Sequence, residues 1–250
     1  MELLQTIKAI RMDTHNSTLR KMPAEPTSRF GVTGVTGENA PKGSVSRFRR
    51  KRFQLFLQLV NDISPRRETI EVADIGGAMD YWEGVRDLWG HLPLRITIFN
   101  IGEQAPDQGP YKFRVGDACD LSDTADNAFD LVHSNSVIEH VGHWTQIEAM
   151  AREIRRLAPR YFIQTPNFGF PLEPHFRTLF FQWYPEVVRA GMLLRGRRGF
   201  YAAAKTMEDA MQAIQSVNLL TASQMLHLFP DARLEREKLF GLTKSLISIR

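Results

Sequence analysis

Four short stretches carry residues that could handle a ligand, and each follows an apolar run. The first is Ile75-Gly76-Gly77-Ala78-Met79-Asp80, after the run EVADI (71–75). Glycines in such a turn let a backbone approach a ligand without a Cβ clash, and the helix that follows offers free N–H groups. Asp74, at the end of the run, could accept hydrogen bonds from a ligand amine or hydroxyl, and Asp80 is placed to cap the helix. The second is Asn100, closing RITIFN (95–100). The third is Gly116-Asp117-Ala118, after YKFRV (111–115). The fourth is Ser134-Asn135-Ser136, after FDLVHS (129–134), leading into Val137-Ile138-Glu139-His140. Each has an ordinary reading as a turn or cap residue. Their recurrence in order along the chain points to one crevice.

The turn GGAMDYWEG lacks the second and third glycines of a dinucleotide fingerprint, so a pyrophosphate fits poorly. No Gly-Lys-Ser/Thr follows, which excludes a P-loop. The turn therefore favours a nucleoside ligand without a diphosphate, and a nicotinamide oxidoreductase ranks a distant third among the functions considered. No spacing of His, Asp and Glu suggests a metal site. The single cysteine, Cys119, leaves no disulfide pairing within the chain and no cysteine-rich zinc site.

These stretches must be held by a regular scaffold. The apolar runs, with RYFIQT (160–165) as the fifth, alternate with amphipathic stretches. Tyr81, Val85, Leu88 and Trp89 mark one helical face; Ile147, Met150, Ala151, Ile154, Leu157 and Ala158 mark another. Buried parallel strands alternating with covering helices predict a doubly wound α/β sheet. Its ligand crevice lies at the carboxyl ends of the strands. The link IGEQAPDQGP has room only for a loop or a very short helix. Thr206 with Asp209, and Thr221 with Gln224, have capping-box spacing. EREKLF and KSLISIR, joined at Gly241, predict an antiparallel hairpin at the sheet edge.

The motifs VADIGGAMDYW, GDACDL, FDLVHSNSVIEHV and TPNFGFPLEPHF together resemble those of the class I, Rossmann-like S-adenosylmethionine-dependent methyltransferases, closest to their bacterial small-molecule and glycan-tailoring branch. The resemblance covers about residues 70 to 170 and the terminal hairpin. It implies a seven-strand sheet with a helical cap insertion at about 170–230. It also implies S-adenosyl-L-methionine as cofactor, with Asp74, Gly76 and Gly77 around its methionine part and Asn100 on the ribose, Glu103 being the fallback. Asp117 and the Ala118 backbone would meet the adenine edge, and Ser134 and Asn135 the floor near the methyl group. Ala78, Asp80 and Asn100 depart from the superfamily pattern, and they keep open a non-catalytic nucleoside-binding or scaffold protein as the rival reading.

A hydroxyl acceptor needs a base. Glu139, His140 and His175 are the candidates, with His143 as a fourth. The expected acceptor is a hydroxyl or carboxyl of a sugar, lipid-linked glycan or small metabolite. Asn135-Ser136-Val137-Ile138 lacks the Pro-Pro-aromatic pattern of base amino-methylation, and Cys119 sits after the third run, away from the fourth-strand chemistry of a thiolate nucleophile.

The 32 basic and 28 acidic residues leave a net charge of +4, too small to imply nucleic acid. The basic residues nevertheless cluster: Lys42, Arg47, Arg49, Arg50, Lys51 and Arg52 fall within 42–52 with no acidic residue between them. It can meet an anionic membrane surface or be the solvated start of the helix marked by Phe53, Phe56, Leu57, Val60 and Ile63, which Pro65 ends. Residues 176–201 mix aromatics and arginines and suit an interfacial segment, a lid or a packed cap. Residues 1–45 are expected to be a flexible segment preceding a domain over 46–250. With 43% apolar residues, no run of the roughly 20 needed to span a bilayer and no signal-peptide core, a cytoplasmic setting is expected, with peripheral membrane contact as a variant. The oligomeric state has no signature in the sequence.

Overall fold

The computed structural model describes residues 47–102 and 105–250. The expected flexible segment, Lys42 and the fallback ligand Glu103 lie outside the described residues. Helix α1 (Arg47–Ile63) precedes strand β1 (Ile70–Ile75), short helices α2 (Met79–Glu83) and α3 (Arg86–Trp89), and β2 (Leu94–Asn100). Then come β3 (Tyr111–Val115), β4 (Leu131–Asn135), α4 (Trp144–Leu157) and β5 (Tyr161–Pro166). A hairpin of β6 (Leu172–Glu173) and β7 (Thr178–Leu179) leads to α5 (Glu186–Leu194), α6 (Met207–Gln215) and α7 (Ala222–Leu228). Strands β8 (Arg233–Leu239) and β9 (Leu242–Ile249) end the chain.

The seven-stranded sheet runs β3-β2-β1-β4-β5-β9-β8. Its first five strands are parallel and the terminal hairpin is antiparallel. The connections reverse direction between β1 and β4, which opens a crevice at the carboxyl ends there. This is the expected doubly wound Rossmann-like sheet with its closing hairpin.

Alternation along the strands divides the core in two. Ala73, Ile75, Val132 and Ile163 face α4 and α7, where Met150, Ile154, Met225 and Phe229 complete one cluster. Ile70, Val72, Ile96, Ile98 and Phe162 face α1, where Phe53, Phe56 and Val60 pack with Trp82 and Trp89. Two expectations need correction here. The helix expected over 81–89 is broken at Gly84, and Trp82 rather than Tyr81 is its buried anchor. The residue capping α2 is Ala78, with Asp80 inside the first turn.

Phe176, Phe181, Ala190, Leu193, Ala210, Ile214 and Val217 form a separate small core. The cap therefore has its own interior, opened by a two-stranded hairpin that the sequence did not suggest. Helix α7, by contrast, packs on the sheet, so the cap ends before it. Both capping boxes form as expected. No helix among the described residues is long and apolar enough to cross a membrane.

Candidate functional site

At the end of β1 the chain turns through Gly76, whose φ of +70° favours glycine. A Cβ here would point at the Val137 side chain, 2.6 Å away; at Gly77 it would meet the Asp74 carboxylate at 1.6 Å. The two glycines let the turn lie flat on its own neighbours. A substitution at Gly76 therefore strains the fold itself and is no clean probe of ligand binding. Asn100, half-buried at the end of β2, donates its side-chain amide to the Gly77 carbonyl at 2.7 Å and so braces the turn across the strand ends.

The Asp74 side chain does not reach the crevice, which corrects the expectation that it contacts a ligand. Strand alternation puts Asp74 on the face of Val72, beneath α1, and its register partner on β4 is His133. Asp74 is fully buried. One carboxylate oxygen accepts the Trp82 indole N–H at 2.6 Å and the other lies 2.7 Å from His133 Nδ1. The His133 ring is enclosed by Phe56, Tyr81 and Trp82 and stacks on Phe162 at 5.8 Å. Ser134 requires a similar correction: it is fully buried, and its hydroxyl donates to the Ile75 carbonyl at 3.0 Å, pinning β4 to β1.

Three expected residues do remain at the crevice rim. Asp117 is half-buried in an Asx turn, its Oδ1 accepting the Cys119 N–H at 2.9 Å. Ala118 packs lightly on the core beside it. Asn135 is half-buried, and its Oδ1 accepts from Arg52 Nη1 at 3.0 Å. Arg52 was missed as a site residue. It comes from the basic run, yet its side chain is 14% exposed and pairs with the nearly buried Glu237 at 3.2 Å. Arg50 pairs with Asp87 through two hydrogen bonds of 3.1 and 2.6 Å, and Arg49 lies over the Tyr81 ring. Arg52 thus docks α1 onto the domain, while Arg47 and Lys51 are exposed and Arg50 pairs at the surface, as a solvated helix start would have them. A basic residue at the helix periodicity of Phe56 and Ile63, as Arg52 is, was the available signal.

Past β4, Ser136 takes a left-handed φ of +57°, held by its hydroxyl and amide on Gln164. The turn swings Glu139 and His140 under the cap. Glu139 is fully buried; one oxygen accepts the Thr165 hydroxyl at 2.9 Å and the other, Oε1, is buried with no hydrogen-bond partner. His140 Nδ1 lies 3.0 Å from the Ser216 carbonyl, and its Nε2 lies 3.1 Å from His175 Nε2. His175 Nδ1 in turn lies 2.7 Å from the carboxylate of buried Glu173. The backbone at His175 is clamped by the loop at Gly199, where a Cβ would stand 2.2 Å from the His175 carbonyl. All three expected catalytic side chains therefore converge, with donor atoms within 4.8 Å of one another. Glu173 was missed because only the hairpin turn of β6 and β7 brings it to His175. His143, exposed at the start of α4, stands apart.

Electrostatics separate the two histidines. Burial pushes the His140 pKa down, with the neighbouring His175 adding to it. Burial also works against a charged His175, but the hydrogen bond and charge of Glu173 outweigh it and leave the pKa raised.

Next to Glu173 the cap forms a half-open pocket of about 130 Å³, lined by Phe168, Phe176, Phe181, Gln182, Arg189 and Asn218. Gln182 Oε1 and Arg189 Nε are buried there without hydrogen-bond partners. The outer cap surface exposes Leu179, Phe180, Trp183, Tyr184 and Val187.

Cys119 is not a nucleophile. Burial, then the charge of Asp117, pushes its thiol up to about 12. The thiolate fraction at pH 8 falls about a thousandfold below that of a free thiol, partly offset by the greater basicity of the thiolate that forms. Iodoacetamide at pH 8 should therefore modify native Cys119 about 30-fold more slowly than the urea-unfolded chain. Equal rates by mass spectrometry would show the thiol to be free of these neighbours.

Residues 98–160 match the family model described as a methyltransferase domain, about a quarter of the chain, from the end of β2 through α4. No curated protein matches the sequence. Among solved structures, the CurJ carbon methyltransferase superposes with a TM-score of 0.50 at 10% identity, covering 80% of this chain and 53% of that one. A Burkholderia thailandensis 1,6-didemethyltoxoflavin-N1-methyltransferase, solved with 1,6-didemethyltoxoflavin and S-adenosylhomocysteine, gives 0.48 at 12% identity over 81% and 76%. A Haemonchus contortus phosphoethanolamine N-methyltransferase, solved with S-adenosyl-L-methionine, gives 0.43 at 15% identity over 74% and 38%. The chain thus spans only part of the length of these neighbours.

Proposed function

We propose that this chain, which carries the Rossmann-like methyltransferase fold and a methyltransferase-domain match, transfers a methyl group from S-adenosyl-L-methionine to an oxygen of a small acceptor. The observation that carries the acceptor side is the convergence of Glu139, His140 and His175 at the carboxyl end of β4, beside the glycine turn. When bound, the cofactor supplies a methyl group already activated by its sulfonium. The residues present suit it: the glycine turn braced by Asn100, and Asp117 and Ala118 at the adenine side. Arg52, at Asn135, offers a guanidinium to the cofactor's carboxylate.

The chain's own groups orient the acceptor and manage its proton. The Ser216 carbonyl can only accept, so it fixes His140 with hydrogen on Nδ1 and a lone pair on Nε2. Burial keeps that ring neutral, which suits a base for a hydroxyl acceptor. A carboxyl acceptor needs no base, and the unpartnered Arg189 Nε in the adjoining pocket suits such a group. A pocket of about 130 Å³ admits one ring or a few heavy atoms, comparable to engineered sites that hold benzene. This favours a sugar or small metabolite whose reacting end enters the cap.

Thermal shift and calorimetry with S-adenosylhomocysteine against NAD test the reading. A ligand that binds only the folded state raises Tm. The expected result is a shift with S-adenosylhomocysteine alone; no shift would favour the scaffold alternative. Asp117→Asn keeps an acceptor for the Cys119 amide but removes the charge, and is expected to weaken S-adenosylhomocysteine binding about tenfold by calorimetry. An unchanged affinity would remove Asp117 from the cofactor site.

Of the α1 arginines Arg52 is paired inside the fold and Arg50 pairs with Asp87 at the surface, and the apolar outer face of the cap is the larger candidate surface for membrane contact. Sedimentation with anionic vesicles separates the acceptor classes. Binding that persists at high salt through Trp183 and its apolar neighbours supports a lipid-linked glycan. No binding leaves a free sugar or metabolite.

A further inference from the structure

The two histidines meet through ring nitrogens that a cation could join. His140 Nδ1 must carry hydrogen, because its partner is the Ser216 carbonyl. With Glu173 as a carboxylate, His175 Nδ1 carries the hydrogen of their contact. Both Nε2 atoms then present lone pairs to one another at 3.1 Å. A proton or a metal ion could join them.

Three observations favour a metal. First, Glu139 is fully buried, its Oε1 has no hydrogen-bond partner, and one of its carboxylate oxygens lies within 4.8 Å of the histidine nitrogens. A lone shared proton leaves that oxygen unsatisfied, whereas a metal ion takes it as a third ligand. Second, nitrogen ligands about 2.0–2.1 Å from one ion stand about 3.0–3.4 Å apart, which matches the Nε2 separation. Third, each histidine is held from behind through Nδ1 by an oxygen acceptor, the outer-shell arrangement that orients metal-binding imidazoles.

We infer that Glu139, His140 and His175 form a binding site for a divalent transition-metal ion of the zinc type, with Glu173 and the Ser216 carbonyl as its outer shell. Two imidazoles and one carboxylate leave a fourth position open. On the methyltransferase reading, which this use of the site rests on, that position receives the acceptor oxygen and makes its proton acidic enough to leave to water, in place of His140, whose Nε2 lone pair the ion takes. A metal ion also gives Glu139 a role, because its burial keeps it from meeting an acceptor directly.

The test uses the full chain, stripped with a chelator and titrated with Co²⁺ and Zn²⁺ without cofactor or acceptor. One equivalent of Co²⁺ should bind with the strong visible absorption of a tetrahedral site, and Zn²⁺ should displace it and raise Tm. His175→Ala and Glu139→Gln should abolish the absorption, while Glu173→Gln should weaken binding 10- to 100-fold. The S-adenosylhomocysteine thermal shift, measured on the same variants, reports whether they remain folded and leaves the cofactor reading separately decided. Absence of stoichiometric Co²⁺ uptake by the unsubstituted chain would overturn the inference, as would uptake unchanged in folded His175→Ala and Glu139→Gln. A proton would then be the cation between the rings.

Discussion

Asp74→Ala is expected to lower the unfolding free energy by about 3–5 kcal/mol, the cost of removing one partner from a buried charged network. The substitution leaves the Trp82 indole N–H and His133 Nδ1 without their acceptor in a pocket closed by Phe56 and Phe162. Water cannot enter to replace the carboxylate without opening the contact of α1 with the sheet. Urea unfolding should show a lower midpoint with little change in slope. Asp74→Asn keeps the shape and one oxygen, so its cost should be smaller. The opposite pattern, unchanged stability with lost S-adenosylhomocysteine binding, would return Asp74 to the crevice as a ligand to the cofactor. The experiment therefore separates a structural aspartate from a binding one at the position where the two roles are easiest to confuse.

His140→Ala is expected to cut turnover about 100-fold or more while leaving S-adenosylhomocysteine affinity nearly unchanged. Its ring touches Ser216 and His175 on the cap side, and neither belongs to the glycine turn or to the Asp117 loop. Loss in kcat would mark a role in the transition state; loss chiefly through KM would mark acceptor binding alone. His175→Ala should follow the same pattern, because the two rings act as one unit and the second substitution should add little to the first. Equal losses in stability and cofactor affinity would make the pair a structural pin between the β4 turn and the cap. That outcome has its own physical sense, since the Asn218 amide also joins this turn to the cap through the Glu139 carbonyl at 2.7 Å.

Local patterns determined a large part of this protein. Five apolar runs became β1 to β5, the stripe from Ile147 to Leu157 became the buried face of α4, and Thr206 and Thr221 opened their helices with the expected capping boxes. These features depend on periodicity and on hydrogen bonds three residues apart, so the residues themselves carry them. The place of Asp74 was also legible, since it shares a strand face with Val72; its type suggested a ligand, while its position assigned it to the core. Tertiary structure alone decided the rest. Arg52 meets Asn135 across 83 residues and His175 meets His140 across 35, distances over which no spacing rule applies. The helix expected over 81–89 ends at Gly84, and Trp82 from its first part turns into the core, where its indole meets Asp74. The cluster of Glu139, His140 and His175 exists because a left-handed turn at Ser136 and a hairpin in the cap bring two distant segments face to face.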